Sequence, residues 1–485
     1  MKDNGVKLYR VHIGKAECAV DLGDGSERGE YVNQDYILNT LGRPMRSISL
    51  MYCYYPLDKG WPGRASVVHA KPEVNFAWGY PYDDYFTYRG GIKGDRNSEP
   101  FNQMKEIRRH GEDVTLTLTI DPHLDDSYLR AVAEDLKEYG RVFLRINHEA
   151  TGNWFEFTKR STYKEIADFY VRFCKILNET APNVKTILCT GGVADQNNKK
   201  DQSIEKEEEF KEAVKTADIW SIDRYFSLHW GWPYDVALKG GNSFNRYKIE
   251  DVFDYMKKSY ARFTYLNGGR TKPIIMSELN ADGDVTGPFD QVEMVRKFID
   301  MIKHEKTRWF AGFSFYQFRD RGRLGLEIED PNNSEVGIRQ PIMGYFKKMI
   351  HEKFFSPKIT VYADKAEKLP INLRWGNSED ADGIAIPLHL KKNPHFCEIT
   401  FEENLNLMIE FNGRWFYKSA SVKTIDLMEA FYEKPLKKET EMTLKLFAPP
   451  ADGVNDLSLK DGADNSYTVI NRLPKIRIDY EPVIK

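Results

Sequence analysis

The chain has 485 residues, with 70 basic side chains against 73 acidic ones and a formal net charge of −3 at pH 7. A nucleic-acid-binding surface needs a clustered basic excess, so no nucleic-acid partner is expected. No run of about 18 apolar residues occurs, and we therefore expect no membrane insertion. Aromatic residues make up 13% of the chain, which suits stacking on sugars or apolar ligands as well as a large core.

The amino-terminal segment MKDNGVKLYR has no apolar stretch of the kind that signal peptides carry. The compartment is left open: the protein is expected to be secreted if a signal was removed, and cytoplasmic otherwise. Five scattered cysteines form no CxxC pair, and three of them lie in apolar segments. We interpret those three as buried free thiols.

Strand-like and helix-like segments alternate through the first two thirds of the chain. Helical periodicity is clearest over 126–139, where apolar side chains recur every three or four residues. Eight strand candidates are predicted at Ser47–Tyr55, Glu73–Trp78, Asp113–Ile120, Arg141–Asn147, Val184–Cys189, Ala217–Ile222, Lys272–Met276 and Phe310–Gln317. Eight strands that alternate with helices over about 270 residues predict a (β/α)8 barrel.

After about Glu352 the pattern changes to short strand-like runs separated by turn residues. Examples are KITVYA, GIAIPLHL, LNLMIEF and MTLKLFA. This pattern is typical of an antiparallel β-sandwich. The sequence therefore predicts a catalytic barrel with an N-terminal extension over 1–352 and a β-sandwich accessory domain over 353–485.

The segment Arg141–Phe157 begins with an apolar strand and ends on polar, acidic and aromatic residues, among them His148 and Glu149. A barrel carries its chemistry at the carboxyl ends of its strands. Strand seven ends at Glu278, so two glutamates are expected to face each other across the mouth of the barrel. Tyr225 follows strand six and Tyr316 ends strand eight.

Two carboxylates across one barrel mouth suit hydrolysis of a glycosidic bond with retention, which needs them about 5–5.5 Å apart. One attacks the anomeric carbon, and the other donates a proton to the leaving oxygen and then takes one from water. Their pKa values must be kept apart by their surroundings. Tyr225 is placed to hold the attacking carboxylate by a hydrogen bond, and His148 to orient a sugar hydroxyl or the neighbouring carboxylate.

At these residues the chain resembles glycoside hydrolase family 26, over about two thirds of its length. The stretch His148–Phe157, HEATGNWFEF, is similar to the family's His-Glu motif with its Asn-Gly and tryptophan-rich tail. Asp223–Tyr225 matches an Asp-x-Tyr motif, and Ser277–Glu278 matches a Ser/Pro-Glu motif. The resemblance implies Glu149 as acid/base and Glu278 as nucleophile, with Tyr225 as the nucleophile's partner.

The same resemblance implies that His148 and Trp154 contact the substrate, and we add Asn153 from the same stretch. Glu156 and Phe157 stand where the family has paired tryptophans, so the first sugar subsites are expected to differ. The substrate expected is β-mannan or another β-1,4- or β-1,3-linked glycan.

Two tryptophans after strand six, Trp230 and Trp232, are further candidates for substrate binding, together with Tyr225 and Tyr316. Packing within the loop explains the two tryptophans equally well. No P-loop, dinucleotide or zinc motif occurs, and neither Asp282–Asp284 nor 452–464 has the spacing of a calcium loop. We expect no cofactor and no metal.

The sequence predicts a retaining glycoside hydrolase of the endo-β-glycanase class, with β-mannanase as the narrower candidate. Its partner is an oligo- or polysaccharide. The alternative is a non-catalytic glycan-binding protein on a barrel scaffold. A transglycosylase uses the same chemistry, and a structural interaction module would rest on the sandwich alone. The oligomeric state is left open.

Overall fold

The computed structural model describes residues 7–23, 31–61, 86–152, 155–190, 208–229, 244–320, 322–458 and 465–482. Within them the chain forms a closed parallel barrel followed by antiparallel sheets. This architecture confirms the predicted (β/α)8 barrel with a C-terminal β-sandwich.

Eight parallel strands close into the barrel, because the first pairs with both the second and the last. Nearly all of their side chains are buried on both faces, as their apolar runs predict. In chain order the barrel strands are Ala19–Gly23, Ser47–Tyr54, Asp113–Ile120, Val142–Ile146, Val184–Thr190, Ile219–Ile222, Ile274–Leu279 and Phe310–Phe315. We call them barrel strands one to eight.

The prediction was wrong about where the barrel begins. Barrel strand one is Ala19–Gly23, so Ser47–Tyr54 is strand two rather than strand one. The sequence AVDLG is short and contains an acidic residue, which hides it from a search for apolar runs. The segment Glu73–Trp78 lies outside the described residues. Strands three to eight stand where they were predicted.

Helices follow the barrel strands, and some of them begin after a residue whose side chain caps the helix. Thr162 and Glu165 form the predicted capping box, and Asn33 and Asp125 accept backbone N–H groups at two other helix starts. The helices are Gln34–Leu41, Phe101–Arg109, Asp126–Leu136, Glu156–Arg160, Tyr163–Thr180, Lys211–Thr216, Ile249–Leu266, Gly283–Thr286, Pro288–His304, Pro341–Ile350 and Glu429–Glu433. None of these described helices is long and apolar enough to cross a bilayer.

Short strands lie around the carboxyl end of the barrel. Phe86–Thr87 extends the pairing of strand two, and Ser227–His229 pairs with Phe244–Arg246 after strand six. A three-stranded sheet follows strand eight, made of Arg319–Asp320, Glu327–Glu329 and Gly337–Arg339. These elements surround the end of the barrel at which the predicted site residues lie.

Two antiparallel sheets form the C-terminal region. The larger one contains Leu8–Gly14, Lys358–Glu367, Ile371–Asn377, Asp380–Leu390, Leu407–Phe411, Arg414–Lys418, Thr440–Phe447 and Ser466–Ile470. The smaller one contains Phe396–Thr400, Thr424–Asp426 and Lys475–Asp479. Apolar side chains of both sheets, such as Ile384 and Ile399, share one core.

The first described strand, Leu8–Gly14, belongs to the larger C-terminal sheet and not to the barrel. It lies between Lys358–Glu367 and Asp380–Leu390, antiparallel to both. The chain therefore enters the C-terminal sheet before it begins the barrel. The domain division at 352/353 stays a prediction.

The larger sheet covers the amino-terminal end of the barrel. Trp375 and Trp415 of the sheet pack in one apolar cluster with Leu38, which lies on the helix between barrel strands one and two. The Trp415 backbone N–H donates to the Gly42 carbonyl at 2.8 Å. The C-terminal region thus closes the end of the barrel opposite the strand ends that carry the predicted site.

Asp113, the first residue of barrel strand three, joins the barrel to this sheet and is completely buried. Its carboxylate lies 2.7 Å from the Arg141 guanidinium and 3.6 Å from the Arg108 guanidinium. It also accepts hydrogen bonds from the backbone N–H and the hydroxyl of Ser378, while Arg141 reaches Glu379 at 2.9 Å. One buried carboxylate therefore balances two arginines and anchors the C-terminal loop.

Asp113→Ala is expected to lower the free energy of unfolding by about 3–5 kcal/mol, because the completely buried Arg108 loses its counter-charge and Arg141 keeps only Glu379. Urea unfolding followed by tryptophan fluorescence measures this. The matched control is Asp168→Ala, which breaks an ion pair with Lys164 between side chains that are both 61% exposed and should cost about 1 kcal/mol at most. Equal losses in the two variants would contradict the role of Asp113.

Candidate active site

The carboxyl ends of barrel strands four, six and seven bring the predicted catalytic residues together. His148 and Glu149 follow strand four, Asp223 and Tyr225 follow strand six, and Glu278 lies near the end of strand seven. Ring nitrogens of His148 lie 3.0 Å from Glu278 and 3.4 Å from Asp223. Residues up to 130 positions apart thus meet in one cluster at the predicted end of the barrel.

The backbone after strand four is held in an uncommon conformation. Asn147 and Glu149 both have positive φ angles, 51° and 50°, a region that side chains other than Asn and Asp seldom adopt. The Asn147 side chain accepts the Ile120 N–H at 2.7 Å, and the Ala150 N–H donates to the Cys189 carbonyl at 3.0 Å. Strands three and five therefore hold this turn in place, as is common where strained backbone presents functional groups.

Glu278 is buried and is held by groups on both of its oxygens. The Tyr225 hydroxyl donates to Oε2 at 2.6 Å. Oε1 lies 3.0 Å from His148 Nε2 and 3.2 Å from Arg145 Nη2. The Glu278 backbone N–H donates to Asp223 Oδ1 at 3.0 Å, which fixes the strand end itself.

These contacts keep Glu278 ionised. Burial raises the pKa of its carboxyl group, but His148, Arg145 and the Tyr225 hydrogen bond outweigh burial and lower the pKa to about 2. Burial and Arg145 lower the pKa of His148, yet Glu278 and Glu149 raise it well above its ordinary value. The site therefore holds a carboxylate against an imidazolium.

Glu149 is more open to solvent than Glu278, with 16% of its side chain exposed against 6%. Its Oε2 lies 3.9 Å from His148 Nε2, which is also the nitrogen nearest to Glu278 Oε1. The two carboxylate oxygens are therefore separated by at most the sum of 3.9 and 3.0 Å, about 6.9 Å. This upper limit includes the separation of about 5–5.5 Å found in retaining glycosidases and also the shortest separations, about 6.5 Å, of inverting ones.

The remaining predicted substrate-binding residues divide into two groups. Tyr316 is buried, and its ring meets the ring of Tyr225 edge to face at 5.8 Å, so it borders the cluster. Asn153, Trp154, Trp230 and Trp232 lie outside the described residues. His148 faces Glu278 with only 3% of its side chain exposed. Its role as a substrate contact stays a prediction.

The tail of the strand-four segment turns inward. Phe157 is completely buried and stacks on Phe155 at 5.8 Å, and Phe155 meets the His148 ring at 5.4 Å. Glu156 pairs with Arg160 at 3.1 Å. Phe157 therefore packs behind Phe155, which contacts the His148 ring. It lies in the core and not on a sugar-binding surface.

Arg160 connects the loops that follow barrel strands two, three and four. Its guanidinium makes two hydrogen bonds to Asp58, at 2.8 and 3.0 Å, and one to Asp121 at 3.4 Å. It also lies over the Tyr55 ring at 4.6 Å. Arg160 thus contacts three carboxylates, those of Asp58, Asp121 and Glu156, and Asp121 serves as a structural partner in this group.

Sequence reasoning missed Arg145 and Cys189. Arg145 is 1% exposed inside the barrel, where its Nε donates to Thr117 Oγ1 at 2.6 Å and its Nη1 lies 3.6 Å from Asp223. The segment VFLRI does indicate a role for Arg145. A charged residue in a strand buried on both faces must have a charged or polar partner. Cys189 Sγ donates to Asp223 at 3.2 Å, which no pattern in the sequence indicated.

The atoms of His148, Cys189 and Asp223 lie within 4.8 Å of one another, close enough to hold a metal ion. Burial raises the pKa of the Cys189 thiol to about 12, so the thiol stays protonated. It donates a hydrogen bond to Asp223. The Arg145 guanidinium, 3.6 Å away, faces the same Asp223 oxygen. In the described structure these three side chains form a hydrogen-bonded and charged network around Asp223.

No protein-family model and no curated protein matches the chain. Among solved structures, a family 26 β-mannanase from Bacteroides ovatus is similar at 11% identity and a TM-score of 0.41, over 70% of this chain and 89% of that one. A family 51 α-L-arabinofuranosidase from Bifidobacterium longum aligns at 10% identity and 0.41, over 89% and 97%. An α-L-arabinofuranosidase from Thermotoga maritima aligns at 11% and 0.42, over 90% and 97%.

His148 is expected to stay protonated through neutral pH, because Glu278 and Glu149 raise its pKa well above the ordinary value. Ring-nitrogen NMR of histidine-labelled protein measures this, with the His148 signal assigned by its loss in His148→Gln. Its chemical shift should remain that of an imidazolium from pH 5 to pH 8. A titration midpoint near 6.5, the value of an unperturbed histidine, would show that the ring is not held between the carboxylates.

Proposed function

We propose that the protein is a retaining glycoside hydrolase that acts on a β-linked glycan, with Glu278 as nucleophile and Glu149 as acid/base. The observation that carries the proposal is the pair of carboxylates around His148. Glu278 is buried and kept ionised, whereas Glu149 is more exposed and lies on the other side of the same nitrogen. Two carboxyl groups in unlike surroundings at one site are what this chemistry requires.

In the first step, a lone pair on Glu278 Oε2 forms a bond to the anomeric carbon as the bond from that carbon to the leaving oxygen breaks. Glu149 transfers its proton to that oxygen, so the sugar or chain that leaves is neutral. Oε2 is proposed as the attacking atom because, in the described part of the chain, it accepts a hydrogen bond from the neutral Tyr225 hydroxyl, whereas Oε1 faces the cations Arg145 and His148.

In the second step, Glu149 takes a proton from water as the water oxygen attacks the anomeric carbon. The bond to Glu278 breaks, its electron pair returns to the carboxylate, and the product keeps the configuration of the substrate. The greater exposure of Glu149 suits a group that exchanges protons with leaving group and water in turn.

The finer specificity follows from the motifs rather than from the geometry. His148–Glu149, Asp223–Tyr225 and Ser277–Glu278 resemble those of a family that includes β-mannanases. We propose endo-hydrolysis of β-mannan or of another β-1,4- or β-1,3-linked glycan. Tyr225 and Tyr316 are proposed to border the sugar at the reaction centre, with Asn153, Trp154, Trp230 and Trp232 as further contacts.

A panel of soluble polysaccharides tests the substrate class by the release of reducing ends and the length of the products. Endo-hydrolysis is expected on mannan, or otherwise on one β-1,4- or β-1,3-glucan or xylan, with oligosaccharides as early products. Binding without release of reducing ends during a long incubation would instead favour the non-catalytic glycan-binding protein. Transfer products at high substrate concentration would identify a transglycosylase.

Glu278→Ala and Glu149→Ala are each expected to lower kcat on the natural glycan, by about 10²–10⁴-fold for the acid/base and by about 10⁴-fold or more for the nucleophile. Azide distinguishes the two roles when the substrate is a dinitrophenyl β-glycoside of the same sugar. In Glu278→Ala, azide attacks from the vacated carboxylate side as the phenolate leaves, so the product is the α-glycosyl azide.

In Glu149→Ala, Glu278 still displaces the phenolate, and azide then attacks from the opposite side, so the product is the β-glycosyl azide. NMR of the isolated product reads the anomeric configuration. The control is Glu179→Ala, an exposed helix residue paired with Arg130, which should give full activity and no azide product. Full activity in Glu278→Ala would exclude the proposed mechanism.

A further inference from the structure

Arg145 lies beneath the proposed reaction centre and connects four barrel strands. Its side chain is 1% exposed and extends from strand four into the barrel interior. Nε donates to Thr117 of strand three at 2.6 Å, Nη2 donates to Glu278 of strand seven at 3.2 Å, and Nη1 lies 3.6 Å from Asp223, next to strand six. All three nitrogens of the guanidinium thus face a polar partner.

We propose that Arg145 is a positioning residue that fixes Glu278 Oε1 and, by keeping this carboxylate a weak base, speeds the release of the sugar from Glu278 in the second step. The inference rests on the proposed function. It adds a residue that touches no substrate and assigns it to one half of the reaction.

The charges around Arg145 balance only while Glu278 is a free carboxylate. Burial and Glu278 raise the pKa of Asp223. Its carboxyl group nevertheless accepts hydrogen bonds from the Glu278 N–H and the Cys189 thiol and faces both cations, so we assign it as the carboxylate. Two cations, Arg145 and His148, then oppose two anions, Asp223 and Glu278. When Glu278 becomes a neutral ester, Arg145 and His148 oppose Asp223 alone, and the four buried residues together carry one excess positive charge.

An uncompensated buried charge is costly, so the excess favours the step that restores the carboxylate. Cleavage of the ester returns an electron pair to Glu278, and Arg145 stabilises that developing negative charge through Oε1. The same contact weakens Glu278 as a nucleophile in the first step. Arg145 therefore shifts the balance between the two steps toward hydrolysis of the intermediate.

The titratable and charged groups that face Glu278 on the described elements come from strands four and six and the segments after them. Arg145 and His148 lie on and after strand four, Asp223 and Tyr225 after strand six, and Glu149 reaches it through His148. Arg145 and His148 are the cations among them. Removal of Arg145 is therefore expected to raise the pKa of Glu278, because one of two stabilising charges is lost.

The test compares wild type with Arg145→Met on an activated aryl β-glycoside, by stopped-flow and steady-state kinetics over pH. We expect kcat to fall about 10- to 100-fold. The value of kcat/KM should change little, because the stronger nucleophile offsets the lost positioning in the first step, and KM should therefore fall. A burst of released phenol should appear as the glycosyl-enzyme accumulates. The acidic limb of kcat/KM should move to higher pH by about one unit.

Two further variants separate the inference from a loss of folding. Arg145→Lys keeps the charge and should leave the acidic limb near that of wild type. Arg108→Met removes an equally buried arginine, paired with Asp113 at the opposite end of the barrel, and should reduce stability without a burst or a shifted limb.

An unchanged acidic limb and no burst in Arg145→Met, in folded protein, would overturn the role of Arg145 and leave the proposed function intact. If Arg145→Met does not fold, Arg145→Gln takes its place, because it removes the charge but keeps a hydrogen-bond donor for Thr117 and Glu278. The burst and the shifted limb are then required of that variant. Failure of the proposed function would show separately, as full activity in Glu278→Ala.

Discussion

The structure depends on a group of charges buried inside the barrel. Arg145, His148, Asp223 and Glu278 lie on or directly after strands four, six and seven, and all four are almost inaccessible to water. Any one of them alone would be strongly unfavourable there, and each is tolerated because the others pair with it. Closure of the barrel in its correct register is therefore a condition for the charge balance, and the charge balance sets the protonation states on which the proposed chemistry relies.

The two ends of the barrel differ in what lies on them. At the amino-terminal end, Asp113, Arg108 and Arg141 lock the barrel against the C-terminal sheet, and Trp375 and Trp415 cover its apolar surface. At the carboxyl end Glu149 follows strand four with a positive φ angle and is partly exposed. The C-terminal sheet thus covers one end of the barrel, and the other end presents polar groups, some of them in uncommon backbone conformations.

Barrel strands three to eight follow from hydrophobic patterning, because a strand buried on both faces reads as a continuous apolar run. The C-terminal strands were predicted from short apolar runs separated by turn residues. Barrel strand one escaped this reasoning, since AVDLG is short and its Asp21 is buried only because Arg46 pairs with it. Leu8–Gly14 looked like a strand, but its pattern carries no information on which sheet it joins. Phe157 likewise fits either a sugar platform or a core, and packing against Phe155 decided for the core.

The sequence by itself determined the alternation of strands and helices, the end of the barrel that carries the polar residues, and the motifs around Glu149 and Glu278. These features are local, because they depend on periodicity and on where an apolar run stops. Only the tertiary structure decided that His148 faces Glu278, that Arg145 reaches two carboxylates, and that the larger C-terminal sheet lies on the opposite end of the barrel. These pairings join residues far apart in the chain, and they form only when strand order, register and side-chain direction are all set by closure of the barrel.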